Sequence, residues 1–387
     1  RMVVKIKKLL FIFFIFFSHY AFASNNVKII RDAEIELFLQ KIIISITKNL
    51  KQKNQRFYPR LILDSQYNAF VTGSDKIYIN TGLINKASSI SEIQGVIAHE
   101  IGHLVLNHHD TRIINKSKNS KYSTIAAIAG IGLSMEGKLD SNTVAGLIIG
   151  SRDLTTKSYL QFTRIQEQQA DKFALNIMQK AKISLNGLQH LLSRLSEEEL
   201  LNQSMRSGFY RSHPFSKLRL RQLKNYINLS SSLKLQKTKI FINNNLISLE
   251  YINNKIRSYN KNPFQILDNK KNINSVLSIY NKIIGNLKIG KYDLAITNLN
   301  KLSTKFKNYP FVFELYGDIY FAKGDFNKAI EYYKRAIEIL NKVSYRSSDL
   351  IKFSLVKSHI QTKNLNNLNK SIDILEDLIK NNPRWSY

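Results

Sequence analysis

Apolar residues recur at helical spacing along most of this chain. Between Arg31 and Leu50 they fall at Ile35, Phe38, Leu39, Ile42 and Ile43, which predicts an amphipathic helix. Leu61-Ile62-Leu63 is a short apolar run that fits a strand. Asn68 to Val71 and Lys76 to Asn80 flank the turn-forming Gly73-Ser74-Asp75 and predict a β-hairpin. Ser91 to His108 predicts a long helix, with Ser91 as its cap and Ile93, Val96, Ile97, Ile101, Leu104 and Val105 on the buried side. Residues 125–135 and 144–149 are apolar and rich in small residues. Gln161 to Lys180 and Leu185 to Leu201 read as further helices. Polar stretches at Asn228–Leu235 and Ser258–Ser275 bracket a short mixed segment. The second of them marks a domain boundary, taken after residue 262.

Beyond that boundary the pattern repeats. Gly290-Lys291-Tyr292 followed by Ala295-Ile296 recurs as Gly324-Asp325-Phe326 followed by Ala329-Ile330, an offset of 34 residues. That is the period of the tetratricopeptide helix–turn–helix. The second copy is the clearest, with Gly317 and Tyr320 in its first helix and Ala329, Tyr333 and Ala336 in its second. A third, looser unit spans Leu350–Pro383 after an insertion around Val343–Ser348.

The N-terminal residues break the helical rhythm in a different way. Arg1, Lys5, Lys7 and Lys8 precede an apolar run from Leu9 to Phe17, and Ala21-Phe22-Ala23 supplies small residues after it. This is the three-part pattern of a secretory signal over residues 1–23 and predicts export. An uncleaved anchor is the competing reading. The 387-residue chain carries a formal charge of +30, which raises nucleic acid as a partner. The basic residues are dispersed, however, and no nucleic-acid motif accompanies them, so none is expected. With no cysteine in the chain, disulfides, thiolate metal sites and a cysteine nucleophile are excluded. Any metal must be held by histidine and carboxylate.

One short segment has that chemistry. His99-Glu100-Ile101-Gly102-His103 lies within the long helix. Two histidines four residues apart share one helix face and can both ligate one zinc ion. Glu100 lies about 100° round the helix from His99 and can reach a metal-bound water as general base. A catalytic zinc needs a third protein ligand. His109 has the spacing, but continued helix would turn it about 240° away from His103. It is therefore expected as an exposed surface histidine, and His108 likewise. Glu167 is the better candidate, on a separate helix one turn before Asp171. Asp171 can hold the free ring N–H of a zinc-bound histidine, or else make an ordinary surface salt bridge.

At this point the chain resembles the zinc metallopeptidases that include the CAAX prenyl endopeptidase and the heat-shock membrane protease. It resembles most their periplasmic β-barrel assembly-enhancing branch, which carries a C-terminal tetratricopeptide domain. The resemblance rests on Ile30 to Glu36, Asn68-Ala69-Phe70, Ile77 to Leu83 and His99 to His103. It rests also on Thr163-Arg164 with Glu167, Ala170 and Asp171, and on His213-Pro214 with Arg219. Thr163 departs mildly from the serine more usual there. The resemblance implies a gluzincin fold with a short hairpin beside the cleft, and the free edge of strand Ile77–Thr81 offered to an extended substrate. It implies one Zn2+ held by His99, His103 and Glu167, with Glu100 as general base. His213 is implied near the metal, as transition-state stabiliser or as an extra ligand closing the open position. Residues 125–135 and 144–149 resemble an insertion over the active site, or are core helices.

The sequence thus predicts a mainly α protein. A signal at 1–23 precedes a helical metallopeptidase domain at 24–262 and an α-helical tetratricopeptide domain at 263–387. The expected activity is that of a periplasmic zinc endopeptidase acting on misfolded or stalled envelope proteins. The repeats are expected to dock substrate or the outer-membrane assembly machinery, with room for peripheral membrane contact. The rival reading is a chaperone or adaptor acting through the repeats with little proteolysis. Glu100 weighs against it, since a structural metal site has no need of a base.

Overall fold

The computed structural model describes residues 28–50, 57–72, 75–108, 164–213, 217–229, 237–267, 275–343 and 348–381. The predicted signal, the apolar segments 125–135 and 144–149, and His109 lie outside the described residues. The fold is mainly helical, as the periodicity predicts. Among the described residues, no helix is long and apolar enough to cross a membrane.

Strand β1 (Ile29–Ile30) leads into helix α1 (Ala33–Thr47). Asp32 caps this helix, its carboxylate accepting from the Ile35 N–H at 2.8 Å. Ile35, Phe38, Leu39, Ile42 and Ile46 are fully buried. Strands β2 (Tyr58–Ile62), β3 (Ala69–Val71) and β4 (Lys76–Asn80) complete a four-stranded sheet of order β1-β2-β4-β3. The predicted hairpin is present as the antiparallel pair β3–β4, with Phe70 opposite Tyr78. The expected free edge is not on β4. That strand pairs with β2 in parallel along its whole length and with β3 on its other side, so β3 is the open edge. The two residues Asn80 and Thr81 lead straight from β4 into the short helix α2 (Thr81–Lys86).

Helix α3 (Ile90–Val105) carries the histidine motif. Its cap is Ser89 rather than Ser91: Ser89 Oγ accepts from the Glu92 N–H at 3.3 Å. The helix is buried on all sides but its ends. Residues 164–180 form helix α4, and α5 (Asn186–Glu198) crosses α3 at backbone contact. At Gly187 a Cβ would sit 1.7 Å from the Ser91 carbonyl oxygen, and at Gly95 one would sit 2.8 Å from the Leu188 nitrogen. The crossing therefore depends on two glycines. Helices α6 (Gly208–Ser212) and α7 (Lys217–Leu229) close the same side.

A small hairpin, β5 (Ile240–Ile242) and β6 (Asn245–Ile247), turns through Asn243 and Asn244, both left-handed. Asparagine tolerates that conformation, which the tight hairpin turn requires. Helices α8 (Leu249–Asn260) and α9 (Pro263–Leu267) follow. Three helix pairs complete the chain: α10 (Val276–Lys288) with α11 (Tyr292–Lys305), α12 (Pro310–Lys323) with α13 (Phe326–Val343), and α14 (Asp349–Gln361) with α15 (Leu365–Asn381). Gly290 and Gly324 stand at matching turns with φ of +74° and +86°. Gly317 lets α13 close on α12, since a Cβ there would lie 2.5 Å from the Tyr333 ring.

The repeats are bolted to α1 through a buried ion cluster. Lys255 Nζ of α8 lies 2.6 Å from Glu34 Oε2 and 2.9 Å from Asp32 Oδ2. Tyr309, just before α12, donates to Glu34 Oε1 at 2.5 Å. Burial alone would lower the Lys255 ammonium, but the two carboxylates hold it well above its ordinary value. Removing the lysine leaves Glu34 charged and uncompensated at 1% exposure. Lys255→Met is therefore expected to cost about 3–5 kcal/mol, seen as a lowered thermal unfolding midpoint. An unchanged midpoint would show that this cluster does not hold the junction.

Candidate metal centre

Four side chains from three elements converge near the middle of the molecule. His99 and His103 project from one face of α3, Glu167 from α4, and His213 follows directly on α6. One donor atom from each lies within 4.8 Å of all the others, and all four residues are buried. His99 Nε2 is 3.1 Å from His103 Nε2, 3.2 Å from Glu167 Oε2 and 3.2 Å from His213 Nδ1. His213 Nδ1 is 3.1 Å from Glu167 Oε2. Ligand atoms about 2.0–2.1 Å from a tetrahedral ion lie about 3.3 Å apart. The donor set and its spacing therefore fit one metal ion.

The approach of α4 to α3 is set by small residues. Gly102 lies between the two histidines in sequence, and a Cβ there would lie 3.1 Å from the Ala170 Cα. Ala170 is itself fully buried. Glu167 and Asp171 flank that contact one turn apart, so both face α3. Asp171 Oδ1 lies 2.9 Å from His99 Nδ1, as the spacing predicts. A neutral His99 with its proton on Nδ1 donates to Asp171 and turns the Nε2 lone pair towards the other donors.

The sequence singles out Arg219 of α7 only as part of the His213-Pro214 motif and does not reveal what it touches. Its Nε and Nη2 donate to Asp171 at 2.6 and 2.9 Å, and Nη1 lies 3.4 Å from Glu167 Oε2. Burial would raise the Asp171 carboxyl, but Arg219 and His99 bring it down to about 2. Glu167 is likewise held well below the carboxylate range, burial being outweighed by His213, His103 and His99. Desolvation opposes protonation of His99, yet Asp171 and Glu167 carry it up to about 9. Burial takes His103 down to about 3, against the pull of Glu167. Glu167 and Asp171 both lie against the one guanidinium of Arg219. With His99 neutral, that pair leaves a negative charge that a metal cation would balance.

Glu100 is almost fully buried, with Oε1 3.2 Å from His213 Nε2. His213 therefore turns one ring nitrogen to the donor cluster and the other to Glu100. The sequence places it on a loop, whereas it is the C-cap of α6, its N–H bonded to the Phe209 carbonyl at 2.8 Å. The Phe209 ring stacks on it with centroids 4.4 Å apart. His108 overturns its expectation. It is 4% exposed, not a surface residue. Helix α3 ends at Val105, and Asn107 takes a left-handed conformation (φ +53°) that swings His108 back beside His103.

The model of peptidase family M48 matches residues 31–227, and a tetratricopeptide repeat model matches residues 310–342. The beta-barrel assembly-enhancing protease of Escherichia coli O157:H7 is 21% identical over 345 residues, covering 87% of this chain and 67% of that one. A putative beta-barrel assembly-enhancing protease of Vibrio cholerae is 28% identical over 180 residues, 45% of this chain and 35% of that one. A mitochondrial metalloendopeptidase of Schizosaccharomyces pombe is 24% identical over 193 residues, 49% of this chain and 52% of that one. The matched span covers more than half of the chain and contains all four converging donors. The chain therefore belongs to peptidase family M48, as a metallopeptidase followed by a tetratricopeptide region.

Proposed function

We propose that this protein is an exported zinc endopeptidase of misfolded or stalled envelope proteins, with the repeats docking substrate or outer-membrane assembly machinery. The observation that carries the reading is Glu100 buried beside a convergent His99, His103 and Glu167. Two histidines and a glutamate are a donor set of catalytic zinc, which keeps a fourth position open. The similarity to the beta-barrel assembly-enhancing protease of Escherichia coli, and to the putative one of Vibrio cholerae, supports the envelope substrate class. The pattern of residues 1–23 supports export to the periplasm.

Zinc bound there would lower the pKa of a coordinated water towards neutrality and polarise the scissile carbonyl. The chain's own groups do the rest. Glu100 accepts a proton from the attacking water and delivers it to the leaving amine nitrogen. Asp171 holds His99 by its Nδ1–H, Arg219 keeps Asp171 ionised, and the surrounding histidines do the same for Glu167. An extended substrate would add to the sheet along the outer edge of β3, which has no strand partner on that side among the described residues.

His213 acts as a latch. Its Nδ1 stands with the three ligands, in the place of the fourth, while its Nε2 lies 3.2 Å from Glu100 Oε1. One imidazole thereby engages both the open position and the base. Substrate displaces it, and the freed N–H can then donate to the developing oxyanion.

Three outcomes test these roles in the purified full chain. Glu100→Gln should keep its metal and lose casein cleavage by about 10²–10⁴-fold, because an amide cannot take the proton. Retained cleavage with stoichiometric metal would remove Glu100 from that role. Glu167→Ala should lower metal content by elemental analysis, and His109→Ala should not; the reverse would make His109 the third ligand. His213→Ala should raise basal or self-cleavage. A fall of about a hundredfold at unchanged metal affinity would instead leave His213 only the oxyanion role.

A further inference from the structure

His99 and His103 are oriented by different means. At His99 the Nδ1 position meets Asp171, an ionised carboxylate backed by Arg219. At His103 it meets another imidazole: His108 Nδ1 lies 3.0 Å from His103 Nδ1, the rings 5.0 Å apart and inclined at 71°. His108 is held in turn from α4. Its Nε2 lies 3.1 Å from Gln169 Oε1, and its backbone carbonyl accepts from Gln166 Nε2 at 3.3 Å. The two glutamines flank Glu167 in sequence, so the helix that supplies the carboxylate ligand also fixes His108.

We propose that His108 is the positioning residue of His103: it accepts the His103 Nδ1–H and so holds the ring in the tautomer and orientation that present Nε2 to the metal. The inference rests on reading the four-donor cluster as a metal site. Proton accounting leads to one arrangement. His103 Nε2 stands with His99 Nε2 and Glu167 in the donor cluster; as a metal ligand it must carry a lone pair, so Nδ1 carries the proton. His108 Nδ1 is then the acceptor. Its remaining proton sits on Nε2 and points at an amide oxygen, which is an acceptor only. Every nitrogen in the chain from His103 to Gln169 has one role, with no conflict. A neutral acceptor suits this place, because the ionised Glu167 and Asp171 already supply negative charge to the site. Asn107 makes the contact reachable, since only a left-handed residue after the helix end returns the chain to the His103 side. Asparagine is among the few residues that take that conformation readily.

The test separates an acceptor from mere packing, and uses metal binding rather than turnover. Zinc affinity of the full chain would be measured by competition with a chromophoric chelator, and the cobalt(II) spectrum recorded beside it. His108→Phe keeps the ring and removes the acceptor, and should weaken zinc about 10–100-fold and perturb the cobalt spectrum. His108→Asn places an amide oxygen near the same point and should restore affinity to within about threefold of the parent. Equal zinc affinity in parent and His108→Phe would overturn the proposal. So would an Asn variant as weak as the Phe variant, which would leave only a packing role. Should the Phe variant fail to fold, nitrogen-15 NMR of zinc-loaded parent protein decides. His108 protonated on Nε2 alone, with His103 protonated on Nδ1, supports the assignment, and His108 protonated on Nδ1 sinks it. A parent chain that binds no zinc would instead overturn the metal-site reading beneath.

Discussion

The structure depends on how close two helices can come. Glu167 must bring a carboxylate into the same small volume as two imidazoles on α3, and its side chain is short. Only near-contact of the helix backbones achieves that. Gly102 against Ala170 supplies it: a larger residue at either place would push α4 outwards and withdraw Glu167 and Asp171 together. Gly187 and Gly95 do the same for α5 on another side of α3. The metal helix is thus gripped by backbone contacts, which leave little freedom for side-chain adjustment. That rigidity is what a donor set held within a few tenths of an ångström requires.

Close packing also removes water, and this sets the electrostatics. Three carboxylates in a dry site would each be driven to take a proton if left alone. Arg219 and His99 prevent that at Asp171, and His213, His103 and His99 prevent it at Glu167. The raised affinity of His99 for a proton expresses the same field that would favour a cation. His103 is pushed the other way, its burial outweighing Glu167. The two metal-facing imidazoles are therefore unequal, although the sequence motif presents them as a symmetric pair.

That asymmetry marks the limit of what the sequence discloses. Helical spacing is enough to put His99 and His103 on one face, because the intervening turn is regular and apolar residues anchor it. The Glu167–Asp171 spacing similarly foretells that one carboxylate can face the cluster while the other holds a ring. His108 escapes because its place depends on a break in regularity. Extrapolating the helix past Val105 carries it away from His103, whereas one left-handed residue, Asn107, returns it. Arg219 escapes for another reason: it comes from α7, and nothing local ties it to α4. The β-sheet edge also escapes, since alternation along a strand cannot say which neighbours it pairs with. Tyr58–Ile62 takes one side of β4 and Ala69–Val71 the other. In the repeats the reverse holds. Gly290, Gly324 and Gly317 each do in the structure what their period implies, because contacts between adjacent repeats are local.

The junction between these two regions bears on how the proposed activity would be directed. A flexible linker would leave the repeats to range around the peptidase body, and a docked polypeptide would meet the cleft at an effective concentration set by linker length. Here the junction is not of that kind. Lys255, Tyr309 and Glu34 join α8, the start of α12 and the first turn of α1 in one buried cluster. Asn243 and Asn245 of the small hairpin add hydrogen bonds to the carbonyls of Asn308 and Lys307. α1 itself packs on α3, so the repeats are two contacts removed from the metal helix. A chain held on the repeats would then be offered to the cleft from a fixed distance and direction. Selectivity would come from which segment of a substrate can span that distance, as well as from the residues flanking its scissile bond.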